Sequence, residues 1–167
     1  MNKYCITFAG APGSGKTPIA HYLSGNLSLP IISNDAIRSE VIEDLGHFDQ
    51  AEYVRRRDIR AKAVIDKGQP FVYDSSVDRS WDEKAVMLTS KEFKTFVVSL
   101  DLSRDKLYDL YTQKSYDQTA HIDSWLADHE EFLKKYSGVV NLHIDDSNFK
   151  DRLELSLKTV QDWLNNT

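Results

Sequence analysis

The 167-residue sequence is short of several things, and each shortage excludes something. Its one cysteine, Cys5, rules out a disulfide within the chain, and its place in an apolar run predicts a small buried side chain. No uninterrupted apolar run approaches about 18 residues, and no basic stretch followed by an apolar one opens the sequence. A soluble, cytoplasmic protein with no membrane contact is therefore expected. Positive charge is also in deficit, with 21 Lys and Arg against 26 Asp and Glu, a net charge of −5. That balance argues against an extended nucleic-acid footprint or an anionic membrane surface, while leaving room for a local basic pocket. Repeats, low-complexity tracts and interdomain linkers are missing as well. The length suits one well-covered core, so residues 1–167 are read as a single domain.

Against this background one stretch stands out, Gly10-Ala11-Pro12-Gly13-Ser14-Gly15-Lys16-Thr17. It fits G-x-x-x-x-G-K-[ST], a loop whose backbone N–H groups turn inward around a phosphate. The glycines permit that curvature, and a helix beginning at Gly15 or Lys16 adds its first-turn N–H groups and the positive end of its dipole. Lys16 supplies a point charge for the β- and γ-phosphates, and the Thr17 hydroxyl a hard oxygen for Mg²⁺. Residues 4–9 before the loop read as a buried strand. Ile19, Ala20, Tyr22 and Leu23 after it give a helix its packed face, with Pro18 in the tolerant first turn.

The remainder alternates in the same way. Residues 29–33 predict a second strand feeding a helix capped by Ser33 or Asn34. A charged helix over 50–67, with Val54, Ala61 and Ile65 on its buried face, ends at Gly68-Gln69-Pro70. A third strand is expected over 71–74 and a helix over 80–89. The fourth strand, 93–100, is apolar enough for the middle of a sheet covered on both faces. Helices over 103–112 and 121–136, a fifth strand over 139–144 and a helix over 148–164 complete an α/β pattern. Five strands joined by helices imply a parallel sheet with right-handed crossovers.

Several polar residues can carry chemistry. Asp35, at the carboxyl end of the second strand, projects into the crevice where open α/β sheets bind ligands, and Arg38 lies one turn later. The pair suits an aspartate that takes a proton from an attacking hydroxyl and a guanidinium that holds the acceptor or neutralises charge. Asp74, ending the third strand, is the acid placed to hold Mg²⁺ with Thr17; its alternative is a helix cap. Arg55, Arg56, Arg57 and Arg60 read as a solvated face paired with neighbouring acids. Arg79 is close enough to the third strand to reach the crevice. His121 and His129 read as residues of a surface helix, and the three tryptophans as packing.

Residues 10–17, the Ser33-Asn34-Asp35-Ala36-Ile37-Arg38 step and the Phe71-Val72-Tyr73-Asp74-Ser75 strand together resemble the P-loop kinase group. That group includes polynucleotide 5′-kinases, zeta-toxin-like kinases and small-molecule phosphotransferases, within the wider class of P-loop kinase-like ATPases. The resemblance covers nearly the whole chain. It implies a three-layer α/β/α P-loop NTPase fold with strand order 2-3-1-4-5, use of ATP and Mg²⁺, and transfer of the γ-phosphoryl to a hydroxyl. It also implies that Asp35 is the general base and that Arg38 contacts the acceptor. Such kinases carry R-x-x-x-R in a lid after the fourth strand; here a small lid is expected around 112–121, and the matching positions are Leu110 and Lys114. Lys114 is then the lid cation that swings toward the phosphates. Two alternatives remain at this point: a nucleotide-binding module with weak ATPase activity acting through a partner, and a polynucleotide 5′-hydroxyl kinase. The acceptor, a small molecule or nucleotide, and the oligomeric state stay open.

Overall fold

In the computed structural model, which describes residues 3–166, a five-stranded parallel sheet has the order β2-β3-β1-β4-β5. The strands are β1 (Tyr4–Ala9), β2 (Ile31–Ser33), β3 (Phe71–Ser76), β4 (Lys94–Leu100) and β5 (Leu142–Ile144). Seven helices connect them: α1 (Lys16–Leu27), α2 (Asn34–Leu45), α3 (Gln50–Asp66), α4 (Trp81–Thr89), α5 (Arg104–Gln113), α6 (Ile122–Tyr136) and α7 (Arg152–Asn165). This is the three-layer α/β/α arrangement and strand order that the family resemblance implied, and the parallel sheet is the one the alternation of elements implied. Among the described residues no helix is long and apolar enough to cross a membrane.

The central position of β1 follows from its composition. Cys5, Ile6, Phe8 and Ala9 are all fully buried, as a strand covered on both faces requires. On one face Ile6 and Phe8 pack with Ile19 and Leu23 of α1 and Val160 of α7. On the other, Cys5 packs with Ile37, Ala61, Ile65 and Leu88, from α2, α3 and α4. Cys5 is therefore a core residue, and burial pushes its thiol up to about 12. The second face continues into Trp81 and Phe132, which bring α6 over the carboxyl end of the sheet.

Several boundaries differ from the sequence expectation, among them the start of β2, which was expected at residue 29 and lies at Ile31. β3 runs on to Ser76, so Asp74 lies within the strand and does not end it. Ser75 and Ser76 suit a helix cap, but β1 offers them partners: Ser76 is in register with Phe8, and the Thr7 hydroxyl donates to the carbonyls of Tyr73 (3.3 Å) and Ser75 (3.4 Å). β5 begins only at Leu142, because residues 137–139 form a 3₁₀ turn and Asn141 spends its side chain on the Val97 N–H at 2.8 Å. The last helix likewise starts at Arg152, after a 3₁₀ turn over Phe149–Asp151.

Candidate active site

The loop between β1 and α1 is held in a curve by its glycines. Gly13 has φ +74, and a Cβ there would stand 2.4 Å from the Tyr111 ring; Gly15, at φ +100, turns the chain into α1. The Tyr111 hydroxyl donates to the Pro12 carbonyl at 2.6 Å, so α5 is pinned to the loop. Lys16 curls back over its own loop, its ammonium donating to the carbonyls of Gly10 (2.7 Å) and Ala11 (2.6 Å) and to Ser14 Oγ (3.3 Å). Burial lowers its pKa to about 8, against the upward pull of Asp78, Asp74 and Asp35. A phosphate entering the loop would give this ammonium anionic oxygens in place of neutral carbonyls.

Beside Lys16, the Thr17 hydroxyl donates to Asp74 Oδ2 at 3.0 Å, and Ser33 Oγ donates to the same oxygen at 3.3 Å. Burial raises the Asp74 pKa, and the Thr17 and Ser33 hydrogen bonds oppose the rise. The side-chain carbonyl oxygen of Asn34, the residue after Ser33, is buried and accepts no hydrogen bond among the described residues. A hydroxyl and a carboxylate, both hard oxygen donors, with a buried acceptor close by, fit Mg²⁺. Among the described residues no group of three or more His, Cys, Asp or Glu gathers for a metal, so an ion here would draw its other ligands from phosphate oxygens and water.

A third part of the site is absent from the sequence reading. Asp78, just beyond β3, accepts the Gly10 N–H at 3.0 Å through Oδ1 and at 3.2 Å through Oδ2. Its Oδ1 also lies 3.1 Å from His129 Nδ1, while His129 Nε2 lies 2.8 Å from Asp101 Oδ1. His129 is thus a buried residue, 5% exposed, and the expectation of a surface histidine is corrected. It sits on the inner stripe of α6 with Ile122 and Phe132, so the helix turns it toward the two carboxylates. Burial lowers its pKa, but the hydrogen bonds to Asp101 and Asp78 outweigh this and raise it to about 9. Burial likewise pushes Asp101 up, and the bonds from His129, Ser99 and His143 overcome it and bring the group down to about 2. A doubly protonated imidazole between two carboxylates follows, tying α6 to the first residue of the loop.

The other candidates are placed unequally. Asp35 is exposed in the first turn of α2; its carboxylate makes no hydrogen bond among the described residues, yet its charge reaches Lys16 and Asp74. Arg38 is exposed and stacks 4.0 Å over the Phe48 ring. Lys114 is already at the loop, donating to the Gly13 carbonyl at 2.7 Å. Arg104 instead pairs with Asp123 at 2.7 Å. The arginines of α3 behave as the composition implies: Arg55 and Arg56 hold Glu52, and Arg60 holds Glu40. Sequence reasoning also missed Arg152. Its guanidinium lies 4.2 Å over the Phe149 ring beside Gly15, and its buried Nε has no hydrogen-bond partner among the described residues.

A cavity of about 600 Å³ opens where these parts meet, lined by Gly10 and Pro12 of the loop, by Asn34 and Asp78, and by α3, α4 and α6. Among solved structures the fold is similar to that of a provisionally named kinase from Chloroflexus aurantiacus, with 22% identity over 99% of this chain and 98% of that one and a TM-score of 0.72. It is also similar to a gluconokinase from Sinorhizobium meliloti (14% identity, 98% and 95% covered, TM-score 0.66) and a shikimate kinase from Acinetobacter baumannii solved with shikimate (16%, 98% and 94%, 0.61). The chain has the fold of these P-loop kinases. No family model and no curated protein matches the sequence. At identities this low the shared property is the fold, and function rests on the site.

Proposed function

We propose that the chain is an ATP-dependent kinase that transfers the γ-phosphoryl group to a hydroxyl of a small molecule or nucleotide. One observation carries this reading: the phosphate loop, with Thr17 and Asp74 joined beside it, opens directly onto a cavity large enough for a small acceptor. Residues 10–17 would hold the phosphates. Lys16 neutralises them, and Thr17 and Asp74 would hold Mg²⁺, which when bound shields charge between the β- and γ-phosphates. Lys114, on the Gly13 carbonyl, is within reach of the same oxygens.

Two carboxylates, Asp78 and Asp35, bring their charge to bear on Lys16, and their bonding divides their roles. Asp78 is engaged by the Gly10 N–H and by His129, which leaves it as a positioning residue. Asp35 makes no hydrogen bond among the described residues, which leaves its carboxylate to take the proton of the acceptor hydroxyl. Arg38, on the same exposed face of α2, is the contact for an acceptor that extends past the cavity mouth. The neighbours named for small molecules, gluconokinase and shikimate kinase, support a small acceptor.

The lid favours a second reading. Leu110 is buried and Lys114 is spent on a backbone carbonyl, so no planar guanidinium is supplied at those two positions. A module that binds ATP, hydrolyses it weakly and acts through a partner fits that feature. A transfer screen with labelled ATP over sugars, hydroxy acids, nucleosides and oligonucleotide ends separates the two. A labelled organic product supports the kinase. Release of inorganic phosphate alone supports the module, and failure of ATP to bind defeats both.

A further inference from the structure

The cavity beside the phosphate loop holds five cations in its wall, and four have a carboxylate. Arg57 pairs with Asp58 at 2.8 Å, Lys62 with Asp66, Lys91 with Asp66 at 3.4 Å and Arg79 with Asp128 at 3.7 Å. The fifth, Lys84 on α4, is the most buried, 8% exposed, and makes no ion pair among the described residues. Its ammonium donates to Ser75 Oγ at 2.5 Å and to the Ser76 carbonyl at 3.4 Å, and lies 4.4 Å from the centre of the Tyr73 ring. All of these partners are neutral.

A buried ammonium with neutral partners is poorly compensated for its lost hydration. Burial lowers the Lys84 pKa to about 8 and the charge of Arg57 pushes the same way, against an upward pull from Cys5, Glu83 and Asp78. Among the described residues no carboxylate is hydrogen-bonded to this ammonium, so the hollow offers an anion a direct seat on it. The same hollow reaches the loop at Gly10 and Asp78, so a molecule anchored at Lys84 can extend toward the phosphates.

We propose that Lys84 is the anion-recognition point of the cavity, binding a carboxylate or phosphate monoester carried by the molecule whose hydroxyl is phosphorylated. Naming that molecule as the acceptor rests on the kinase reading; the anion site itself does not. Arg57, with its planar fork, is placed to add a second contact once the anion is in.

The test is NMR of the full chain carrying ¹³C-labelled lysine, titrated separately with malonate, methyl phosphate and neutral malonamide, without nucleotide. The Lys84 resonance is assigned from its absence in Lys84→Arg. Saturable movement of that resonance by an anion, with its titration rising above about 8 and no response to malonamide, supports the proposal. Response to malonate alone assigns a carboxylate; response to methyl phosphate alone assigns a phosphate monoester. By calorimetry, Lys84→Met then binds that anion about tenfold more weakly or worse, while Mg²⁺-ATP binds as in the unaltered chain. Equal anion affinity in the two proteins, or no movement of Lys84 by either anion, overturns the proposal and leaves Lys84 as a brace for Ser75 and Ser76. If Lys84→Met fails to fold, the titration of the unaltered chain decides alone. Loss of ATP binding in every form would defeat the kinase reading and leave the anion result standing.

Discussion

His129 Nδ1 lies 3.1 Å from Asp78 Oδ1, the oxygen that also accepts the Gly10 N–H at the first residue of the phosphate loop. The link makes loop geometry depend on a proton held in α6. The raised His129 pKa, about 9 against 6.5, means that its stabilisation is complete below about pH 6.5 and is lost as pH rises through 9. The lowered Asp101 pKa, about 2 against 3.8, adds stability above pH 3.8 that is lost as pH falls through 2. His129→Gln should therefore lose about 3 kcal/mol of stability near pH 5 to 6, as expected for a broken buried ion pair. The deficit should shrink toward pH 9. Urea unfolding of both proteins across that range measures it; a deficit flat with pH would show that no charged imidazole is present.

Gly13 of the loop faces the Tyr111 ring of α5 with no room for a Cβ between them. Gly13→Ala places a methyl where the ring stands and imposes φ +74 on a residue with a side chain. We expect a loss above about 2 kcal/mol and weaker ATP binding. Tyr111→Phe should be milder, near 1 kcal/mol for one hydrogen bond. Thermal unfolding with and without ATP ranks the two; an alanine variant as stable as the parent would mean that the ring has somewhere else to go.

Asp74→Asn keeps an oxygen for the Thr17 hydroxyl but removes the charge opposite it. The Mg²⁺ concentration needed for ATP to raise the melting temperature should increase several-fold, while ATP alone should bind unchanged or better. An unaltered Mg²⁺ titration would return Asp74 to a purely structural part.

On the lid, Lys114→Ala should reduce transfer more than ATP affinity, and Lys114→Arg should preserve or raise it. Arg104→Ala should change neither, since Arg104 is exposed and held by Asp123. Steady-state kinetics with the identified acceptor reads all three. A turnover loss in Arg104→Ala equal to that in Lys114→Ala would reverse the assignment.

Arg152, stacked on Phe149 beside Gly15, is placed to meet a nucleotide. Arg152→Ala should weaken ATP binding about tenfold, the scale of a lost charge-assisted contact. Calorimetry on Arg152→Ala and Arg152→Lys tests this, and unchanged affinity in both would confine Arg152 to packing.

The alternation of strands and helices and the phosphate loop were legible because each rests on local signals, apolar runs of strand length and Gly and Lys at fixed spacing, whereas the strand order came only from the family resemblance. What escaped depended on contacts distant in sequence. Ser75 and Ser76 have capping chemistry, and only the ladder offered by β1 keeps them in a strand. His129 reads as polar, yet it follows Ile122 by seven residues and precedes Phe132 by three on the same buried face. Lys84 is hidden in the same way, sharing with Trp81 and Leu88 the inner stripe of α4. A polar residue on an apolar stripe was the available signal in both helices.

The middle position of β1 also governs how the chain can assemble. Cys5 pairs with nothing nearby in sequence; its ladder partners are Phe71 and Thr95. During synthesis β1 and the loop attached to it must wait until β3 and β4 have emerged, because closing such long segments costs entropy before any pairing returns it. The nucleotide cradle, carried by a strand whose ladder partners are Phe71 and Thr95, can set only after β3 and β4 have joined it.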